Sequence, residues 1–382
     1  MLHRDQNTQG RVSLVVPCFD VEAYLEDFLR SIEAQTYRHL ELILVNDGAN
    51  AATTEMLRAA VPRLEGQGFV VRLVEQENKG LGGALDAGLK HFTGEFLMWP
   101  DPDDWLLPHS IERRVELMRE NPDVGLLRSN AQLFIEARQE FDGHFLPTDL
   151  PPRRASDLFE DLVFQRLFFA PVCHFARSAM FLEVHPDRSI WFSKASSQNF
   201  QLLVPLVEAF AVLQVHEPLA VYRVREDSRS RSQLRSHEKL MGRHEQLYEL
   251  TVHTLPKLKT WTPERAARVM NYHWRNKMLP TAIRAKMREK GMDLIARAAL
   301  PRWRKTAARL CLALRCNPLL DAVDQRTGRL ASRALARCLD AAVRMPEREV
   351  FWGAGLIWIA PDAGAMQVSR PQSRLHDAVE TT

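Results

Sequence analysis

Cysteine is scarce in this chain, and the few present form no pattern. Cys18, Cys173, Cys311, Cys316 and Cys338 are odd in number, with no Cys-x-x-Cys spacing and no zinc-like grouping with histidine. A disulfide framework and a structural zinc site are therefore both unsupported, and a reducing, cytoplasmic compartment is expected. No run of 18 apolar residues occurs, which argues against a membrane-spanning helix. The first ten residues are polar and lack the apolar core of a signal peptide. Internal repeats and low-complexity segments are absent too. What is present is ordinary globular composition, 46% hydrophobic and 26% charged, in a chain of 382 residues that has room for more than one domain.

The net charge of +3 conceals an asymmetry. Residues 1–256 carry 27 Lys+Arg against 37 Asp+Glu, whereas residues 257–345 carry 21 against 6. An acidic body is thus followed by a basic segment, and the last 37 residues are mildly acidic again with 3 against 5. The expected division is 10–235, 236–345 and 346–382, the last of uncertain structure.

Periodicity predicts strands at 12–17, 40–45, 69–75 and 95–99, alternating with helices at 21–36, 53–64 and 81–91. Such alternation implies an α/β fold with a mostly parallel sheet and right-handed crossovers. A helix at 111–120 capped by Ser110, a strand at 124–135, and helices at 156–168 and 201–210 follow. Short strands are expected at 212–215 and 219–224. Beyond Ser236 the pattern is helical, interrupted at Pro256, Pro280, Pro301 and Pro318.

In parallel sheets ligands bind beyond the carboxyl ends of strands. Here all four ends carry polar or special residues: Pro17-Cys18-Phe19-Asp20, Asn46-Asp47-Gly48, Gln76-Glu77-Asn78-Lys79-Gly80 and Asp101-Pro102-Asp103-Asp104. Crowding three carboxylates at one turn costs free energy unless a cation is near. A hard cation such as Mg²⁺ or Mn²⁺, arriving with phosphate, would suit them. The alternative is a solvated acidic turn that caps the next helix. Gly80, Gly82 and Gly83 open a helix where backbone N–H groups can meet phosphate, or simply form a loop.

These motifs, with Val15-Val16-Pro17-Cys18-Phe19, Ala84, Gly88 and Trp99-Pro100, resemble in order and spacing a family 2 glycosyltransferase of GT-A fold. A later block, Ser197-Gln198-Asn199-Phe200-Gln201 with Glu217-Pro218-Leu219 and Tyr222-Arg223-Val224-Arg225, is similar to the acceptor side of bacterial members that build polysaccharides and lipopolysaccharides. The resemblance spans about residues 11–232. It implies a nucleotide-diphosphate sugar donor, expected to be UDP-linked, and inversion at C1. Pro17, Phe19, Asp47, Lys79, Gly80 and Asp101 would bind the donor, with Asp47 on the base (or only an Asx-turn) and Phe19 stacked on it (or only core). Asp101 and Asp103 match the family's DxD motif and would hold Mn²⁺ or Mg²⁺, Asp103 foremost. Asp104 would orient the turn; Trp99 and Trp105 would pack.

The family's base lies in a Glu-Asp pair, but this chain has Gln198-Asn199 there, and neither can accept a proton. Asn199 would bond the acceptor, with Asp161, Glu160 or Asp187 left as candidate bases. Ser228-Arg229-Ser230 departs from relatives that place histidine between the serines. Arg229 joins Arg223, Arg225 and Arg231 in a basic cluster that either meets phosphate or is solvated. Gln198, Asn199 and Arg229 are thus the acceptor-side residues.

The basic helices, with Trp261, Trp274 and Trp303 interleaved, suit an anionic membrane face and a glycan or lipid-linked acceptor, or form a plain helical bundle. Nucleic acid is disfavoured, since no reader motif occurs. Phe351-Trp352-Gly353-Ala354-Gly355 looks like a dinucleotide-binding turn but has too little chain after it. Two rivals remain. One is a non-catalytic nucleotide-sugar- or glycan-binding subunit with the same fold. The other is a nucleotidyltransferase, which would carry a basic, Gly-rich loop after the first strand.

Overall fold

A computed structural model describes residues 8–146, 155–164, 170–193, 199–226, 228, 236–315, 356–359 and 367–368. It divides into two compact units, residues 1–225 with 350–382, and residues 226–349.

The first unit begins as the sequence predicts: β1 (Thr8–Cys18), α1 (Leu25–Glu33), β2 (Leu40–Asp47), α2 (Ala51–Glu65), β3 (Val70–Gln76), α3 (Gly80–Leu89) and β4 (Gly94–Met98). It continues with β5 (Trp105–Leu106), α4 (Ser110–Glu120), β6 (Val124–Ile135), β7 (Glu140–His144), α5 (Ala155–Val163), β8 (His174–Arg177), α6 (Ser178–Val184), α7 (Asn199–Ala209) and β9 (Ala211–Val224). Two short strands near the C-terminus, β10 (Leu356–Ile359) and β11 (Gln367–Val368), complete the sheet. Its order is β11-β10-β9-β6-β8-β4-β1-β2-β3.

β1 to β4 are mutually parallel, so their carboxyl ends share one edge. β8 runs antiparallel to both β4 and β6, and β9 runs parallel to β6. Two reversals cancel, so β9 also ends at that edge. β8 is among the elements that periodicity missed, with β5, β7 and α6: four residues are too few to show a period, and β7 falls where a loop is expected. The strands expected at 212–215 and 219–224 are one strand, β9. β6 advances from Arg128 to Asn130 while β9 advances from Gln214 to Pro218, so a bulge absorbs the proline.

α1 buries Leu25, Phe28, Leu29 and Ile32, a stripe at i, i+3, i+4, i+7. α3 lies so close to the sheet that a Cβ on Gly88 would fall 2.4 Å from Val15 Cγ1 and 2.9 Å from Val45 Cγ2. Ser110 does not cap α4. It is the first helical residue, and its buried hydroxyl accepts from Arg114 Nη1 at 2.5 Å. The orphan N–H of Ile111 is satisfied instead by Gln35 Oε1 at 3.1 Å, a cap supplied from another element. Cys18 and Cys173 are buried free thiols, and burial pushes the Cys173 pKa up to about 12. Cys316 and Cys338 lie outside the described residues.

The second unit is helical: α8 (His237–Thr254), α9 (Pro263–Tyr272), α10 (Leu279–Arg284), α11 (Arg288–Arg297) and α12 (Arg302–Arg315). Pro280 does not break the chain's helical path. A π-helical turn, His273–Met278, precedes α10 and absorbs the lost N–H and the ring's steric demand. Pro318 lies outside the described residues. Among those described, no helix is long and apolar enough to cross a membrane.

His244 on α8 titrates usefully. Burial, then Lys277 and Arg243, push its pKa from 6.5 to about 4. The unfolded chain therefore binds more protons than the folded one between those values. Stability falls as pH drops from about 6.5 toward about 4, by at most about 3 kcal/mol. His244→Gln is expected to flatten that limb in urea titrations at pH 7 and 4.5. Equal acid losses in both proteins would refute the assignment.

Candidate active site at the carboxyl edge

The edge is assembled from loops that brace one another. Asn50 caps α2 by accepting from Thr53 N–H at 2.9 Å. Its own N–H donates to Asp20 Oδ1 at 2.7 Å, and its amide donates to Glu22 at 3.0 Å. The β1–α1 and β2–α2 loops are thereby joined, with Asp20 held at φ +49°. On this rim Phe19 is 45% exposed, so it is not core. Pro17 is buried within β1.

Asp47 ends β2 and is almost fully buried. Its Oδ1 accepts from Gln76 Nε2 at 2.6 Å and from the Lys79 N–H at 2.8 Å. It therefore fastens the β3–α3 loop and does not form an Asx-turn with Gly48. Gly48, at φ +66°, brings the backbone so near that an added Cβ would lie 2.7 Å from Asn78 N. Lys79 is exposed, and Gly80 opens α3 at φ +78°.

Beyond β4 the chain makes the acidic turn and then pairs back onto β9, Trp105 opposite Val221. This return presses the turn against the end of β9. Asp104 Oδ1 accepts from the Arg223 N–H at 2.9 Å, and Arg223 Nε donates to the Asp103 carbonyl at 3.0 Å. Arg225 Nη2 donates to Asp103 Oδ2 at 2.7 Å. Asp104 is 2% exposed, and its Oδ2 is buried without a hydrogen bond. Burial pushes its carboxyl well above the ordinary range, with Asp103 and Asp101 adding to the rise. It orients the turn, and does so through β9 rather than by capping α4.

Arg223 is neither solvated nor aimed at phosphate. It is buried, pairs with Asp27 at 2.7 Å and lies over the rings of Trp105 and Tyr24. Trp105 is thus packing, as expected. So is Trp99, which is fully buried and donates its indole N–H to Asn199 Oδ1 at 3.0 Å. That bond brings the start of α7 to the acidic turn across a hundred residues. Gln198, Arg229 and Arg231 lie outside the described residues.

Asp187 is misplaced for a base. Its neighbour Arg188 donates to the Phe92 carbonyl at 2.7 Å, at the amino end of β4 and so the wrong edge. From there residues 188–193 climb beside α3. Ser189 Oγ and the Ile190 N–H donate to Asp86 at 2.6 and 3.0 Å, and Gln201 brackets Trp191 through both its N–H and its carbonyl. A Cβ on Gly83 would lie 3.2 Å from the Phe192 ring. Burial works against the charge on Asp86, but bonds from Lys90, Ser189 and Ile190 outweigh it and hold the carboxyl low. Sequence reading passed over Asp86, although an acid inside Gly-Gly-Ala-Leu-Asp-Ala-Gly-Leu was a visible signal.

Among the described residues no three His, Cys, Asp or Glu side chains converge as a metal-binding group. Asp101 and Asp103 offer at most two carboxylates, one already facing Arg225. Such a pair fits Mg²⁺ or Mn²⁺ only together with phosphate oxygens and water, which is how Mg²⁺ is commonly bound.

Comparison with known proteins agrees with this architecture. The family described as Glycosyl transferase family 2 matches residues 13–183. An uncharacterised glycosyltransferase of Rickettsia bellii is 26% identical over 210 residues, 52% of this chain and 30% of that protein. Glycosyltransferase GlyA of Streptococcus pneumoniae is 33% identical over 102 residues, 27% of this chain and 14% of that protein. The matched part thus spans under a third of the length of either relative. Residues 1–349 of S. aureus TarS, solved in complex with UDP-GlcNAc, superpose with a TM-score of 0.55 at 14% identity, covering 84% of this chain and 92% of that one. That likeness concerns the fold. Residues 13–183 thus match the glycosyl transferase family 2 model, and the sheet that contains them has a GT-A fold.

Proposed function

We propose that the chain transfers a sugar from a nucleotide-diphosphate donor, UDP-linked in the first instance, to a cell-surface glycan or lipid-linked acceptor with inversion at C1. The observation that carries this reading is the acidic turn fixed against β9 at the edge shared by Phe19, Asp47 and Gly80. Phe19 offers an exposed ring for the base, Asp47 a second carboxylate oxygen, and the start of α3 backbone N–H groups for phosphate or sugar. Asp101 and Asp103 would hold a divalent cation, which would supply charge neutralisation on the leaving diphosphate.

In the transfer, an acceptor hydroxyl oxygen forms the bond to C1 as the bond from C1 to the diphosphate oxygen breaks. The electron pair leaves with the diphosphate, and the hydroxyl proton passes to a base. Asn199 orients the acceptor, held in place by Trp99. Glu160 and Asp161 on α5 are the bases this reading retains. Turnover of a nucleotide sugar that vanishes without Asp103 tests the reading. Donor binding with no turnover would favour the non-catalytic subunit. The nucleotidyltransferase rival gains nothing, since Pro17-Cys18-Phe19-Asp20 has no basic Gly-rich loop.

A membrane-surface role for the second unit rests on α12. Trp303 and Leu310, seven residues apart, are 61% and 60% exposed beside Arg302, Arg304, Lys305 and Arg309. Co-sedimentation with phosphatidylglycerol vesicles is expected, and with phosphatidylcholine vesicles not. Trp303→Ser with Leu310→Ser should weaken it by about fivefold or more, since apolar burial adds to charge attraction. Equal pelleting with both lipids would end the idea.

A further inference from the structure

We infer that Phe192 is the side chain that reads the transferred sugar, and that Asp86 is the positioning residue that holds it there. The inference rests on the glycosyltransferase reading and deepens it.

Residues 189–193 have no regular secondary structure, so bonds from other elements set their path. Asp86 on α3 is 6% exposed, and one of its oxygens accepts from Ser189 Oγ at 2.6 Å and from the Ile190 N–H at 3.0 Å. Its other oxygen accepts from Lys90 Nζ at 2.6 Å. From the opposite side Gln201, in the first turn of α7, bonds the N–H and the carbonyl of Trp191 at 3.0 and 2.6 Å. The backbone leading to Phe192 is thus clamped from two helices. The ring closes on the first turn of α3, where a Cβ on Gly83 would lie 3.2 Å from two of its atoms.

Where that ring stands decides its role. α3 packs on β1 and β2, while α6 packs on β4 and against α7. A segment tied to both α3 and α7 therefore passes over the end of β4, the strand that leads into the acidic turn. On one side are Gly80 and the opening N–H groups of α3, assigned above to phosphate or sugar. On the other is Asn199, assigned to the acceptor. C1 must lie in line between the leaving diphosphate and the attacking hydroxyl, so the sugar is the part of the donor that fills this gap. Phe192 is half-buried and presents part of its ring. Its apolar face suits the C–H face of a pyranose, and an aromatic side chain has only two torsions to freeze. Such a wall keeps its place only when a supporting shell fixes it, which is the task of Asp86 and Gln201.

Calorimetric titration of the full chain in Mn²⁺ tests this, with UDP and GDP set against UDP-GlcNAc, UDP-glucose and GDP-mannose. The readout is the ratio of nucleotide-sugar affinity to nucleotide affinity. Phe192→Ala is expected to lower that ratio for the preferred donor by about fivefold or more, while the bare nucleotide binds as in wild type. Asp86→Ala should do the same. Asp86→Asn keeps an oxygen for Ser189 Oγ and the Ile190 N–H, and should restore the ratio to within about twofold of wild type. Lys90→Met leaves those two bonds in place and should not change it. A ratio unchanged in Phe192→Ala, or nucleotide and nucleotide-sugar affinities that fall together, overturns the inference and leaves the donor reading intact. A ratio unchanged in Asp86→Ala removes Asp86 from the role. No binding of any of these compounds by the wild type overturns both readings.

Discussion

The Asp103→Asn variant is expected to lose sugar transfer by about 100-fold or more while keeping its fold. The substitution preserves shape and one acceptor oxygen but removes the charge that faces Arg225 and any divalent ion. Groups placed where charge develops on a leaving group are each worth about 10² to 10³ in rate. The stability loss should be small, on the order of 1 kcal/mol, because the pair with Arg225 is partly solvated. Asp104 Oδ1 still anchors the turn to β9 through the Arg223 N–H. Asp27→Asn is the control. It also removes a carboxylate paired with an arginine, but Asp27 is 58% exposed and reaches the turn only through Arg223. Release of nucleoside diphosphate from the preferred sugar donor is the readout. Rates for Asp103→Asn within about fivefold of wild type would remove Asp103 from the chemistry.

Gly48→Ala is expected to lower stability by about 2–5 kcal/mol and to weaken nucleotide binding together with it. Two costs add. A non-glycine residue in the left-handed region, φ +66° here, costs about 1–2 kcal/mol. The new Cβ also falls 2.7 Å from Asn78 N, a backbone atom that cannot rotate away, and overpacking of this kind costs about 1–3 kcal/mol. Relief requires the 76–80 loop to move, and that loop is pinned to Asp47 through Lys79 N–H and Gln76. Gly68→Ala separates the two costs. Gly68 has φ +89° with nothing within 4 Å of an added Cβ, so it should show the backbone cost alone. Unfolding midpoints for the two variants that coincide would show that the Asn78 contact is not felt.

Much of the first unit was legible because its elements are long and their patterns local. β6 falls on 124–135 as read, and the first three helices and four strands appear in order with ends shifted by a few residues. Boundaries slipped where a partner from elsewhere set them. Ser110 looked like a cap because serine often is one, yet Gln35 performs that task and Ser110 serves Arg114. Asp47 reads as a ligand of the base or as a turn residue, and its bonds in fact reach a loop some thirty residues on. Asp187 looked like a spare carboxylate, and only the path of residues 188–193 along α3 places it at the wrong edge. Arg223, Arg225, Arg229 and Arg231 read as one basic cluster, but of the two described, burial separated Arg223, a structural clamp, from Arg225, which faces the acidic turn.

By itself the sequence determined the strand–helix alternation, the polar residues at four strand ends and the family that its motifs resemble. Those are consequences of side-chain period and turn chemistry, which act over a few residues. Tertiary structure alone decided that a four-residue antiparallel strand would re-aim β6 and β9, so that Arg223 and Arg225 close on an acidic turn more than a hundred positions earlier. Pairing over such a separation is selected by burial and by the carboxylates' need for counter-charge, neither of which leaves a periodic trace along the chain.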